Sequence, residues 1–271
     1  MDSVQVDRYL ERIGVDRPSH PDLDGLRRLQ LAHLRTVPFE NLSIHLDEPI
    51  VLTEAALFAK IVDRRRGGFC YELNGLFAAL LTALGYQVDL LAARVFGSGT
   101  FGPPLDHLAL RVNLPRVNPL QANLTDPWLV DVGFGRFADA PLRLDTSADQ
   151  PDASGVFRVN AGDDIVIDQD GEHQYRLDPR PYALADFAPT CWWQQTSPDS
   201  HFTRSLTCSL PTGSGRVTLS GSRLITTTTT TGGGERVEQT LGSSAEILAA
   251  YQTHFGITLD RVPVLRPPTP G

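Results

Sequence analysis

The chain has no Cys-x-x-Cys and no His-x-x-x-His pair, so the ligand spacing of a zinc site is missing and no metal is expected. Its three cysteines, Cys70, Cys191 and Cys208, are too few and odd in number for a disulfide framework across 271 residues. No apolar run is long enough to span a bilayer, and no secretory pattern opens the chain. The expectation is a cytoplasmic protein without membrane contact. Basic residues are outnumbered, 24 against 32, for a net charge of −8, which argues against nucleic acid as the partner. No helix-opening Gly-x-Gly-x-x-Gly follows a strand pattern, so a dinucleotide fingerprint is absent. Internal repeats are absent too. What is present, 41% hydrophobic and 21% charged, is an ordinary globular composition with room for one to three cores.

The chain changes period as it runs. Val4, Tyr9, Leu10 and Ile13 before Gly14 predict a first helix, and Pro21-Asp22 opens a second that Pro38 ends near Val37. A third is expected from Thr53 through Ile61. After Arg64-Arg65-Arg66-Gly67-Gly68-Phe69-Cys70, the residues Leu73, Leu76, Phe77, Leu80, Leu81 and Leu84 fall at helical spacing up to Gly85. Residues 1–88 therefore read as a helical domain. From Val88 the pattern is extended: strands at Val88–Phe96, His107–Val112 and Trp128–Val132, with shorter runs to about residue 178 and turns at Asp163-Asp164 and Asp170-Gly171. Residues 89–182 read as a β-rich domain, a small barrel. Residues 183–207 read as a connecting segment with one short helix. Residues 208–271 add strands at Arg216–Leu219 and Arg223–Ile225, then a hairpin over the six threonines 226–231. A helix at Ala245–Phe255 follows, with a Pro-rich tail from Pro263 whose tip is expected to be poorly ordered.

Three polar residues stand where chemistry could use them. Cys70 lies at a helix N-terminus beside three arginines, and both features favour thiolate over thiol. A thiol needs a base, and the base needs a partner that fixes its tautomer. His107 opens a strand. Asp131 ends another, flanked by Val130 and Val132, where an unpaired carboxylate would be costly to bury. Side chains two strands apart can meet on one face of a sheet. Plain alternatives stand beside this reading: a small buried cysteine, a satisfied core histidine and a turn-forming aspartate.

Four stretches stand in one order: Val37-Pro38-Phe39-Glu40-Asn41, Arg66-Gly67-Gly68-Phe69-Cys70-Tyr71-Glu72-Leu73-Asn74, His107-Leu108 and Val130-Asp131-Val132-Gly133-Phe134-Gly135. Together they closely resemble the arylamine N-acetyltransferases. The resemblance implies an α+β, cysteine-proteinase-like fold of three domains: a helical bundle (1–88), a β-barrel (89–182) and, after the segment 183–207, an α/β lid (208–271). It implies a triad of Cys70, His107 and Asp131 and a ping-pong transfer from acetyl-CoA, through an acetyl-cysteine, to an arylamine, arylhydrazine or hydrazide. It further implies that Phe39, Val95, Phe134 and Phe202 line the acceptor pocket and that Glu40 and Arg66 pair in its support. Asp106, directly before His107, falls in a stretch that varies within the family and bears on acceptor preference. The alternative on the same scaffold is an amide synthase that releases or cyclises an aromatic-amine polyketide chain. Peptidase or transamidase chemistry would need an open groove, which a lid and aromatic walls argue against.

Overall fold

The structure, a computed structural model of the chain, describes residues 1–115, 125–230 and 233–265. Helix α1 (Ser3–Ile13) starts from a reciprocal cap between Asp2 and Gln5 and ends on Gly14 at φ 72°. Helix α2 (Leu23–Thr36) is capped by Asp22, which accepts the Gly25 N–H at 2.7 Å, and stops before Pro38. A two-residue strand, β1 (Phe39–Glu40), and one helical turn, α3 (Leu42–His45), follow. The third helix differs from expectation: it is α-helical only as α4 (Glu54–Phe58) and continues past Ile61 as a π-helix over Ala59–Asp63. The wider turn carries an extra residue and brings Lys60, the one lysine in the sequence, into the interior.

Helix α5 (Cys70–Ala83) is the central element. Tyr71, Leu73, Leu76, Phe77, Leu80 and Leu81 are all buried, so neighbours cover it on every side. Each such side chain contributes about 1.5–3 kcal/mol on burial, which makes α5 the best-anchored helix in the chain.

The β-rich part is one antiparallel sheet of nine strands. In chain order these are β2 (Gln87–Gly97), β3 (Thr100–Phe101), β4 (His107–Pro115), β5 (Thr125–Val130), β6 (Leu142–Arg143), β7 (Gln150–Asp152), β8 (Gly155–Ala161), β9 (Ile165–Gln169) and β10 (Glu172–Tyr182). The order across the sheet is β6-β5-β4-β2-β10-β9-β8-β7, with β3 on the end of β2. Strand β10 reaches Tyr182, beyond the expected end near residue 178, and the expected Asp170-Gly171 turn joins β9 to β10 with both residues at positive φ. The barrel is drawn together by a side chain: Gln150 on β7 accepts the Arg143 N–H of β6 at 2.7 Å and donates to the Arg143 carbonyl at 3.0 Å. The sheet is buried on two faces. Leu108, Leu110 and Val112 share a core with α5, while Leu91, Ala93, Ala109 and Leu129 join Tyr175 in the barrel interior.

The connecting segment is more helical than expected, with a 3₁₀ turn at Leu184–Phe187, α6 (Ala188–Thr196) and α7 (His201–Arg204). The last part pairs β11 (Thr207–Thr212), β12 (Gly215–Ser220), β13 (Arg223–Thr230) and β14 (Gly233–Thr240) in antiparallel order and packs them on α8 (Ser244–Phe255). The threonine hairpin is thus present on both sides of residues 231–232, which lie outside the described residues. So does the tip of the Pro-rich tail, though Val264 N–H donates to the His45 carbonyl. The sheet is completed by β1, which pairs with β11 in the register Phe39↔Ser209 and Glu40↔Cys208. Leu42 and Leu46 enter its core with Leu219, Tyr251 and Phe255. Among the described residues no helix is long and apolar enough to cross a membrane.

Candidate active site

Cys70 is the first residue of α5. Glu72 caps the helix by accepting the Phe69 N–H at 3.3 Å, and the two glycines before Phe69 let the chain pass close to β1. A Cβ on Gly67 would fall 1.9 Å from the Pro38 carbonyl oxygen, so no larger residue fits. The Glu40 N–H donates to Gly68 O at 2.8 Å, which fixes β1 against the entry to α5.

His107 opens β4 and Asp131 follows the last residue of β5; both are buried. His107 Nε2 donates to Asp131 Oδ2 at 2.7 Å. Nδ1 is thereby left for the Cys70 thiol, which is within hydrogen-bonding reach of the ring. Burial alone would lower the imidazole pKa, but the Asp131 charge and hydrogen bond, joined by Cys70, outweigh it and push His107 up to about 10. The three side chains that the sequence singled out therefore stand together.

Asp131 accepts three further hydrogen bonds: Asn74 Nδ2 at 2.9 Å and the Gly133 N–H at 2.9 Å on Oδ1, and the Tyr175 hydroxyl at 3.2 Å on Oδ2. Four donors on one buried carboxyl group hold it in a fixed orientation. Asn74 is the hub, because it also donates to Leu108 O at 2.6 Å and accepts the Val132 N–H at 2.9 Å. One residue of α5 thus ties β4 to the turn after β5. Gly133 permits this approach: a Cβ there would lie 2.7 Å from Cys70 Cα. Sequence reasoning gave neither Asn74 nor Tyr175 a role. Asn74 carried a signal, a polar residue one turn after Cys70 in an apolar helix; Tyr175, on a strand with no marked pattern, carried none.

Beneath the site lies a buried charge network. Arg66 donates to Glu40 at 3.0 Å, to Glu48 at 3.2 Å and to Ser43 Oγ at 3.4 Å. Lys60 Nζ donates to Glu72 at 2.6 Å and stands 3.9 Å from Glu40. Burial raises Glu40, yet Arg66 and Lys60 outweigh it and hold the carboxyl below the usual range; at Glu72 burial wins over Lys60 and the carboxyl is held above it. The guanidinium of Arg66 is thus directed to Glu40, Glu48 and Ser43. Arg64 meets Glu48 at 3.8 Å near the surface.

The four pocket candidates fall on two sides. Phe134 packs edge-on to His107 at 5.2 Å, and Val95 pairs with Tyr175 on the same sheet face as His107. Phe202, on α7, packs edge-on to Phe69 at 5.0 Å and lies 6.3 Å from Phe39. Gly135, at φ 92°, brings the turn after Asp131 to within reach of the Phe39 ring. Rings from three parts of the chain thus lie against His107 and Phe69, the residue before Cys70. Among the described residues no group of three metal-ligating side chains is gathered to hold an ion.

Residues 22–264 match the N-acetyltransferase family. An arylamine N-acetyltransferase of Mycolicibacterium smegmatis is 37% identical over 261 residues, covering 93% of this chain and 91% of that protein. The Mycobacterium marinum arylamine N-acetyltransferase, solved in complex with CoA, is 35% identical with a TM-score of 0.80, over 93% of this chain and 92% of that one. The Salmonella typhimurium arylamine N-acetyltransferase gives a TM-score of 0.83 at 29% identity, over 95% and 92%.

Proposed function

The chain belongs to the arylamine N-acetyltransferase family, and from that premise we propose that it carries acetyl groups from acetyl-CoA to arylamines, arylhydrazines and hydrazides through an acetyl-Cys70 intermediate. The observation that carries this reading is the buried line Cys70–His107–Asp131, with four donors on the carboxylate. Cys70 thiolate attacks the thioester carbonyl, and the first-turn N–H groups of α5 face the oxyanion. The tetrahedral intermediate collapses, CoA leaves as its thiol with the proton from His107, and the acetyl group stays on sulfur. An aromatic amine then attacks the thioester, His107 takes its proton, and the Cys70 thiolate leaves as the amide departs. Asp131 holds the imidazole in the tautomer that both steps require. The complex of the M. marinum relative with CoA supports a CoA thioester as donor, and the rings of Phe39, Phe134 and Phe202 suit a flat aromatic acceptor.

Incubation with acetyl-CoA alone, read by intact mass, is expected to add one acetyl group to the wild type and none to Cys70→Ala. Acetylation of the variant would return attention to Cys191 and Cys208, both buried. Turnover of free amines with acetyl-CoA, without any carrier protein, separates this activity from that of an amide synthase.

A further inference from the structure

Phe202 is held at both ends. Its carbonyl accepts Asn41 Nδ2 at 2.9 Å and His45 Nε2 at 3.1 Å, which makes Nε2 the protonated nitrogen of His45. Its N–H donates to Ser200 Oγ at 3.1 Å. Ser200, fully buried, donates to Gln194 Oε1 at 2.6 Å, and Gln194 Nε2 donates to Asp106 Oδ1 at 3.0 Å. The loop before Asp106 is tied to β2 by the Gly102 N–H, which donates to the Val95 carbonyl at 2.8 Å, and the Val95 backbone favours the charged form of the Asp106 carboxyl. A line of hydrogen bonds therefore joins Asp106, the residue beside His107, to Phe202 on α7, and the loop that ends in Asp106 is held to Val95 on β2.

The turn that holds Asp106 is itself fixed. The Tyr71 hydroxyl, adjacent to Cys70, donates to the Leu105 carbonyl at 2.9 Å and to that of Asp106 at 3.1 Å. Leu105 sits at φ 62°, a left-handed conformation that needs such support. A Cβ on Gly102 would lie 2.5 Å from Asp106 Oδ2, so a larger residue there would have to push the carboxylate aside.

We infer that Asp106, Gln194 and Ser200 are positioning residues that fix the separation of Val95 and Phe202, set the width of the acceptor slot and so select flat aromatic amines. The inference rests on the acetyl-transfer reading above. None of the three forms a bond to the reacting atoms in either half-reaction. Their loss leaves acetylation of Cys70 intact and is felt when the acceptor must fit between the two walls.

The test uses Gln194→Leu, Ser200→Ala and the double variant of the full chain. Cys70 acetylation by acetyl-CoA without amine is timed first; KM and kcat are then measured for an aromatic amine and for a bulkier aliphatic hydrazide. The aromatic KM is expected to rise about tenfold in Gln194→Leu, with the acetylation rate kept within about twofold and discrimination against the aliphatic acceptor reduced. The double variant is expected to be no worse than Gln194→Leu, because Ser200 acts through Gln194. An unchanged KM, or acetylation that falls in step with it, overturns the positioning role while the transfer reading stands. A wild type that never takes up the acetyl group overturns that reading and this inference with it.

Discussion

At the scale of single residues, the site depends on which nitrogen of His107 faces Asp131. Asp131, as carboxylate, can only accept, so Nε2 must donate and Nδ1 is free to serve the thiol. Asp131→Asn keeps the shape but presents an amide that can donate to Nε2 and drive the proton to Nδ1. The expected loss in the rate of Cys70 acetylation is about four orders of magnitude, the size seen for the same change in other triads. Stopped-flow release of CoA measures it, and near-normal rates would reduce Asp131 to a turn residue.

At the scale of elements, the site is a junction between the N-terminus of α5 and the turn after β5. Asn74 joins them by two hydrogen bonds and ties in β4 by a third, and Gly133 allows backbone to approach backbone. Gly133→Ala places a methyl 2.7 Å from Cys70 Cα, where neither main chain can yield cheaply. The turn that carries Asp131 and Phe134 would be displaced from α5. A shift of about 1 Å costs roughly a hundredfold in kcat/KM, and this is the effect expected, with far-UV circular dichroism unchanged. A variant as active as the wild type would show that the junction tolerates slack. The π-helix acts at the same scale: by widening one turn it brings Lys60 to Glu72, the residue that caps α5.

At the scale of the whole molecule, two buried histidines oppose each other in pH dependence. His33 lies between Tyr9 and Phe77, and neither ring nitrogen has a partner. Burial, aided by Arg12, lowers its pKa to about 3. The unfolded chain, with the ordinary histidine value near 6.5, then binds a proton that the folded chain refuses. Stability is therefore lost as pH falls from about 6.5 toward 3, by up to roughly 1.4 kcal/mol per pH unit from this group. His107 has the opposite sign. Raised to about 10, it contributes fully below about 6.5, and that contribution is lost as pH rises through 10. His33→Leu is expected to flatten the acid limb of urea-unfolding stability between pH 6.5 and 4 and to leave the alkaline limb unchanged. Parallel acid limbs in the two proteins would show that His33 does not control it.

The main helices and the longer strands, the bounds of α1 and α2 and the three candidate site residues were legible in the sequence, because each depends on local chemistry. Asp22 and Gly14 bound their helices by hydrogen bonding and backbone freedom alone, and Cys70, His107 and Asp131 mark themselves as polar residues at the ends of apolar runs. Three things depended on the tertiary structure: the donors around Asp131, the pairing of β1 with β11, and the line from Asp106 to Phe202. The Tyr175 hydroxyl reaches Asp131 across 44 positions, and Asn41 reaches Phe202 across 161. Periodicity records which face of an element is apolar, but it holds no information about which distant polar group meets another once those faces are buried.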